Sequence, residues 1–125
     1  MKRSLNLFVA DILNSINNIE SFSINLSEQK FLNDELHQSA IVRQIEIIGE
    51  AVKNIPDSFR DKYPEVPWKK AAGMRDLIIH TYFSVDLDTV WRVIKTDIPI
   101  LKVQIQKIME DLDAKNKTHL KNGKK

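Results

Sequence analysis

The sequence predicts an all-α protein, a helical bundle of four to five main helices, and three observations predict it. Among 125 residues there are three glycines and four prolines, too few for a fold of many short, turn-linked strands. Apolar residues recur at spacings of three and four over long stretches. No strand-like alternation extends beyond a few residues, and no segment repeats. A single chain of this length buries a real core without metal or disulfide staples.

The first helix is expected from about Leu5 to Ser21, with Leu5, Phe8, Ile12, Ile16 and Ile19 as its apolar stripe. Met1-Lys2-Arg3 followed by Leu5, Leu7, Phe8 and Val9 imitates a signal peptide. Asn6 and Asp11 interrupt it and no small-residue cleavage site follows, so an amphipathic helix is the expectation. Residues 21–26 break the pattern. Ser27 suits an N-cap, and Glu28 to Leu32 a short helical turn. A second long helix runs from about Asp34 to Asn54, where Ile41, Ile45, Ile48, Val52 and Ile55 form a near-heptad seam. Gly49 lies inside it at a cost of about 1 kcal/mol in helix propensity, which points to close approach of another helix or to a kink. Arg43 and Glu46 are spaced as a surface ion pair.

Pro56 ends that helix, and Asp57 to about Lys62 restarts a short one. Tyr63-Pro64-Glu65-Val66-Pro67 is a connector, because each proline pushes its predecessor out of helical space. A third major helix is expected from Trp68 to about Phe83, with Pro67 suited to its first turn. Asp86 is placed as the N-cap of a fourth, striped by Val90, Trp91, Ile94, Ile98, Leu101, Ile105, Ile108 and Leu112. Pro99 within it implies a kink or brief break near Thr96-Asp97. The bundle is expected over residues 1–113. Residues 114–125 carry five lysines and no acid and read as a disordered basic tail.

That tail dominates the charge. Without its five lysines the net +2 becomes −3 for the remaining chain, so global charge does not argue for nucleic-acid binding, and any such site must be local. With no cysteine there is no disulfide framework, thiolate metal site or cysteine nucleophile, which fits a reducing cytoplasm. No stretch approaches the roughly 20 apolar residues of a membrane span. Glycine-rich phosphate loops, paired-carboxylate metal motifs and serine nucleophile elbows are absent from the sequence. His37 and His119 lack spaced partners of metal-ligand type and read as surface histidines, and Trp68 and Trp91 as core or interface aromatics.

The candidate site is Met74 to Tyr82. Arg75, Asp76, His80 and Tyr82 lie within eight residues, interleaved with Leu77, Ile78 and Ile79, which belong in a core. At ~100° per residue, Asp76 and His80 share one helical face and Arg75 and Tyr82 another. The faces diverge, so all four converge only along a cleft or across a two-fold dimer. One reading is a buried network, with Asp76 orienting His80 and Arg75 paired to an acid elsewhere. The other is chemical: Arg75 binds a phosphate and His80 moves a proton.

The order Arg75, four residues, His80, one residue, Tyr82 resembles the signature of the HepT-like toxin family of the HEPN superfamily. Three more stretches are similar to that family: Arg43 to Ala51, Tyr63 to Trp68, and Tyr82 to Leu87 running on to Trp91. The resemblance spans the first helix to about Leu112. It implies a dimerising helical bundle with the Arg/His segments of both protomers in one cleft. It also implies a ribonuclease that needs no metal or other cofactor, the toxin half of a toxin–antitoxin pair. The implied partner is a minimal nucleotidyltransferase that transfers AMP from ATP onto the motif tyrosine. Carried over, Arg75 and His80 are catalytic and Tyr82 is the AMP acceptor. Asp76 stands where the family often has Asn, and its expected part is to orient His80. Thr81 stands where Gly or Asp is common.

The alternative is a non-catalytic subunit of a nucleotidyltransferase complex, whose cleft holds a nucleotide or the partner. A third reading, a purely structural helical domain, leaves the Arg75–His80–Tyr82 grouping unexplained.

Overall fold

The computed structural model describes the backbone of residues 4–78 and 85–123. Its long helices start where short polar side chains can satisfy the first free backbone N–H groups. Ser4 Oγ accepts from Leu7 N at the head of α1, Leu5–Ser23. Ser27 Oγ accepts from Lys30 N at 3.1 Å to start α2, Glu28–Leu32. Asp34 Oδ1 accepts from His37 N at 3.0 Å to start α3, Glu35–Lys53. That backbone N–H is the main reason the Asp34 carboxyl sits below its ordinary pKa. The far end of α3 is closed by Arg60, on the short α4, Asp57–Arg60. Its guanidinium donates to the Val52 carbonyl at 2.6 Å and the Ile55 carbonyl at 3.0 Å.

Helices α1 and α3 are the central pair. Val9, Ile12, Ile16 and Ile19 meet the Ile41, Ile45, Ile48 and Val52 seam, and all eight side chains are fully buried. Each contributes roughly 1.5–3 kcal/mol by burial. The first stripe is rotated slightly from expectation. Val9 enters the core, and Phe8 and Leu5 stay half-buried at its edge. Phe8 and Val9 are four and three residues before Ile12, so both spacings fit a helical face, and the bulkier ring takes the boundary.

The third expected helix differs most. It is divided at Gly73 into α5, Trp68–Ala72, and α6, Met74–Ile78. Gly73 still donates to the Lys69 carbonyl, and Leu77 to the Gly73 carbonyl, so the chain changes direction with little backbone unpaired. The remainder of that expected helix, residues 79–83, lies outside the described residues. Trp68 is buried, and its indole N–H is shared between the Arg60 and Tyr63 carbonyls. Close approach at Gly49 is observed: a methyl built there would stand 3.1 Å from the Ala72 carbonyl oxygen. The end of α5 is seated directly on α3.

Asp86 caps α7, Leu87–Arg92, accepting from Thr89 N at 3.1 Å. The helix then widens to a π-helical turn over Val93–Asp97 and continues as α8, Ile98–Gly123. This is the brief break in the α pattern expected near Thr96-Asp97. Pro99 has no N–H for the Lys95 carbonyl and its ring would crowd that group, and the wider turn makes room without breaking the rod. Ile94, Ile98, Leu101, Ile105 and Ile108 from this rod close the core. Lys102 to Glu20 at 2.6 Å and Lys70 to Asp97 at 3.1 Å tie it to α1 and α5. Trp91 packs on Phe31 with ring centroids 5.5 Å apart. Tyr63 donates its hydroxyl to Asp111 at 2.8 Å.

Residues 114–123 are helical where composition predicts a structureless tail. Lysine, alanine and leucine are good helix formers, and a helix already nucleated by packing propagates at little cost. Among the described side chains the last fully buried one is nevertheless Ile108. Among the described residues there is no strand, and no helix is long and apolar enough to cross a membrane.

Candidate active site

The short helix α6 carries the described half of the motif. Met74 and Ile78 are buried and anchor it to the core. Arg75 and Asp76 face outward, their side chains 54% and 80% exposed, with Arg75 Nη1 3.7 Å from Asp76 Oδ1. An exposed contact of this kind contributes little to stability. Neither side chain is buried in the single chain, and the His80 half of the expected network lies outside the described residues. Leu77, expected in the core, is 40% exposed. Five-residue α6 can bury only the positions facing α3 and α7, which are Met74 and Ile78. His80 and Tyr82 lie outside the described residues, as do Ile79 and Thr81.

Arg75 stands at a groove of about 590 Å³ between α1, α3 and α6. The α3 wall presents Arg43, Glu46, Glu50 and Asn54, with Ile47 and Ala51 beneath. These positions fall at three- and four-residue steps, one continuous stripe beside the isoleucine seam. Phe8 and Asp11 supply the α1 wall. Arg43 Nη1 lies 3.6 Å from Glu46 Oε2, the surface pair its spacing predicts. Asn54 donates its side-chain N–H to the Glu50 carbonyl at 2.9 Å. Asp76 is not among the groove-lining residues.

Sequence reasoning therefore found Arg75 but not the surface it stands over. Glu50, Asn54, Asp11 and Phe8 were not singled out as site residues. The available signal was the polar stripe on α3 flanking Gly49, since that glycine is what lets α5 and α6 approach. A second hollow, of about 660 Å³, lies where α2 meets α3. Its Ser27 and Asp34 side chains already cap helices, which leaves it less free chemistry.

Comparison with known proteins identifies the family. The family model described as Ribonuclease HepT-like matches residues 12–108. A protein of Methanocaldococcus jannaschii, named as a gamma-glutamylcyclotransferase and provisionally as an RNase, is 48% identical over 98% of this chain. The chain spans 54% of that relative's length. A second M. jannaschii protein with a provisional RNase name is 44% identical over 95% of this chain and 98% of its own length. A Thermococcus cleftensis protein named Probable ribonuclease HepT is 45% identical over 86% of this chain and 98% of its own length. No solved structure matches the chain. The match extends over most of the bundle, including the α3 wall of the groove and the Arg75 helix, and the chain belongs to the HepT-like ribonuclease family of the HEPN superfamily.

Proposed function

We propose that this chain is a metal-independent endoribonuclease that acts as the toxin of a toxin–antitoxin pair, with Arg75 and His80 at a cleft shared by two protomers. The observation that carries the reading is the placement of Arg75. Its exposed guanidinium stands over a groove, five residues before His80, in a chain of a ribonuclease family. RNA brings its own nucleophile. The 2′-OH attacks the adjacent phosphorus, His80 of one protomer takes its proton, and His80 of the other protonates the departing 5′-oxygen. The products are a 2′,3′-cyclic phosphate and a free 5′-OH. Arg75 stabilises charge on the phosphoryl oxygens, and each proton transfer is worth about 10²–10⁴-fold. Asp76 orients His80. The exposed Leu77, beside Arg75, supports a second protomer on this face.

Tyr82 is the control point in this proposal. A minimal nucleotidyltransferase partner transfers AMP to its phenol, which attacks the α-phosphorus of ATP and releases pyrophosphate. The new phosphodiester competes for Arg75, and the nucleotide fills the cleft. Coexpression with that partner should add AMP masses to Tyr82. An unmodified Tyr82 in a silenced toxin would refute this control.

The test of catalysis is RNA cleavage by purified protein in EDTA, beside Arg75→Ala and His80→Ala. The wild type should cleave and both variants should lose at least about 10²-fold. Equal activity in all three would sink the assignment. One observation favours the alternative, a nucleotide- or partner-binding subunit without catalysis: the groove lining carries three carboxylates against two guanidiniums. Binding of ATP or partner without any cleavage would support it.

A further inference from the structure

We infer that the groove beside Arg75 is a base-recognition subsite that takes a splayed guanine of single-stranded RNA; this rests on the ribonuclease reading above. Three properties of the lining lead there. The first is charge. Glu46 and Glu50 on the α3 wall offset Arg43 and Arg75, so the groove offers no continuous cationic track for a phosphate backbone. A phosphate is held only at the Arg75 end, and what enters beyond it is uncharged.

The second is the kind of hydrogen bond on offer. Arg43 and Glu46 are paired with each other. The Glu50 carboxylate has no ion-pair or hydrogen-bond partner among the described residues. Asn54 spends an N–H on the Glu50 carbonyl, which leaves its side-chain oxygen as an acceptor. The Glu50 carboxylate is therefore the open charged acceptor of the stripe, with the Asn54 side-chain oxygen beside it. Guanine is the base that presents two adjacent donors, N1–H and the N2 amino group, on one edge, matched to the two oxygens of a carboxylate. Adenine, cytosine and uracil each lack one member of that donor pair.

The third is shape. Ile47 and Ala51 give an apolar floor beneath the carboxylate, and about 590 Å³ accommodates a nucleotide. Sequence-reading of RNA works on such splayed, unstacked bases. The three carboxylates do not converge into a group that could hold a metal ion.

The experiment uses the full chain and has two arms. In the first, a randomised single-stranded oligoribonucleotide pool is cleaved and the sequence around each cut is read, for wild type and Glu50→Gln. Wild type should prefer guanine at one position next to the cut by about 10- to 100-fold, the discrimination of one bidentate contact. Inosine there, lacking the N2 amino group, should lose most of it, and Glu50→Gln should erase the preference. In the second, binding of 5′-GMP, 5′-AMP, 5′-CMP and 5′-UMP is measured by NMR titration, which needs no catalysis. GMP should bind tightest, with the difference lost in Glu50→Gln. Cleavage without base preference overturns this inference and leaves the ribonuclease reading standing. GMP-selective binding that depends on Glu50, with no RNA cut, supports the subsite and overturns the ribonuclease reading. No selectivity in either arm overturns the subsite, and a lysine- or arginine-rich protein segment docking on the carboxylates would then be the better account.

Discussion

Replacing Gly49 with alanine sets two terms of known size against each other. Alanine in a helix interior is favoured over glycine by about 1 kcal/mol, and on that ground alone the variant should be more stable. The new methyl, however, would stand 3.1 Å from the Ala72 carbonyl oxygen, a backbone atom at the end of α5 that cannot rotate away. Overpacking of this kind costs about 1–3 kcal/mol. The contact should win, leaving a net loss of about 1 kcal/mol, and Gly49→Val should lose about 3 kcal/mol as its branches push further into α5. For a chain of this size 1 kcal/mol is about 4 °C in Tm, so thermal unfolding by circular dichroism separates the outcomes. α6 begins two residues after Ala72, so the same displacement moves Arg75, and RNA cleavage should fall with stability. Gly49→Ala that raises Tm by about 4 °C, the value propensity alone gives, would refute the seating of α5 on α3.

Other consequences are as direct. The Tyr63 phenol is pushed up to about 12 by burial and by its hydrogen bond to Asp111. The unfolded chain loses that proton first, so stability should be intact below about pH 10. It should fall as pH rises toward 12, and absorbance titration should find this late phenol move to lower pH in Asp111→Asn. Arg60→Ala removes two charge-assisted donors from the Val52 and Ile55 carbonyls at and just beyond the end of α3 and should cost about 1–3 kcal/mol in urea unfolding. An unchanged midpoint would show that water replaces them. We propose the division at residue 113 as a boundary of the packed unit. A chain ending at Asp113 should unfold at the same temperature as the whole, and a drop of more than about 4 °C, near 1 kcal/mol for this size, would place part of the 114–123 helix in the core.

Much of the fold was legible because it depends on local chemistry. Ser27, Asp34 and Asp86 start helices since their side chains satisfy backbone N–H groups within three residues. The isoleucine seam of α3 is buried as its spacing demands. Gly49 was legible as a close approach because an unforced glycine in a strong helix needs a reason. What failed involved choices that spacing leaves open. Phe8 and Val9 fit the α1 face almost equally, and packing against α3 chose between them. Gly73 could cap one helix or sit inside a longer one, and only the fit of α5 on Gly49 decides. The motif itself was legible as a pattern of residue types. The groove was not, because three helices assemble it, and no single stretch brings Asp11, Glu50 and Arg75 together.

The central claim, that RNA is cut through its own 2′-OH by Arg75 and His80, has one most direct test. Take an oligoribonucleotide cut at a mapped position and its twin with a single 2′-deoxyribose on the 5′ side of that bond, both with wild-type protein in EDTA. The account predicts that the ribonucleotide is cut to a 2′,3′-cyclic phosphate and a 5′-hydroxyl end, while the deoxy position stays intact. Cleavage at the deoxy position, or ends carrying a 5′-phosphate, would contradict it.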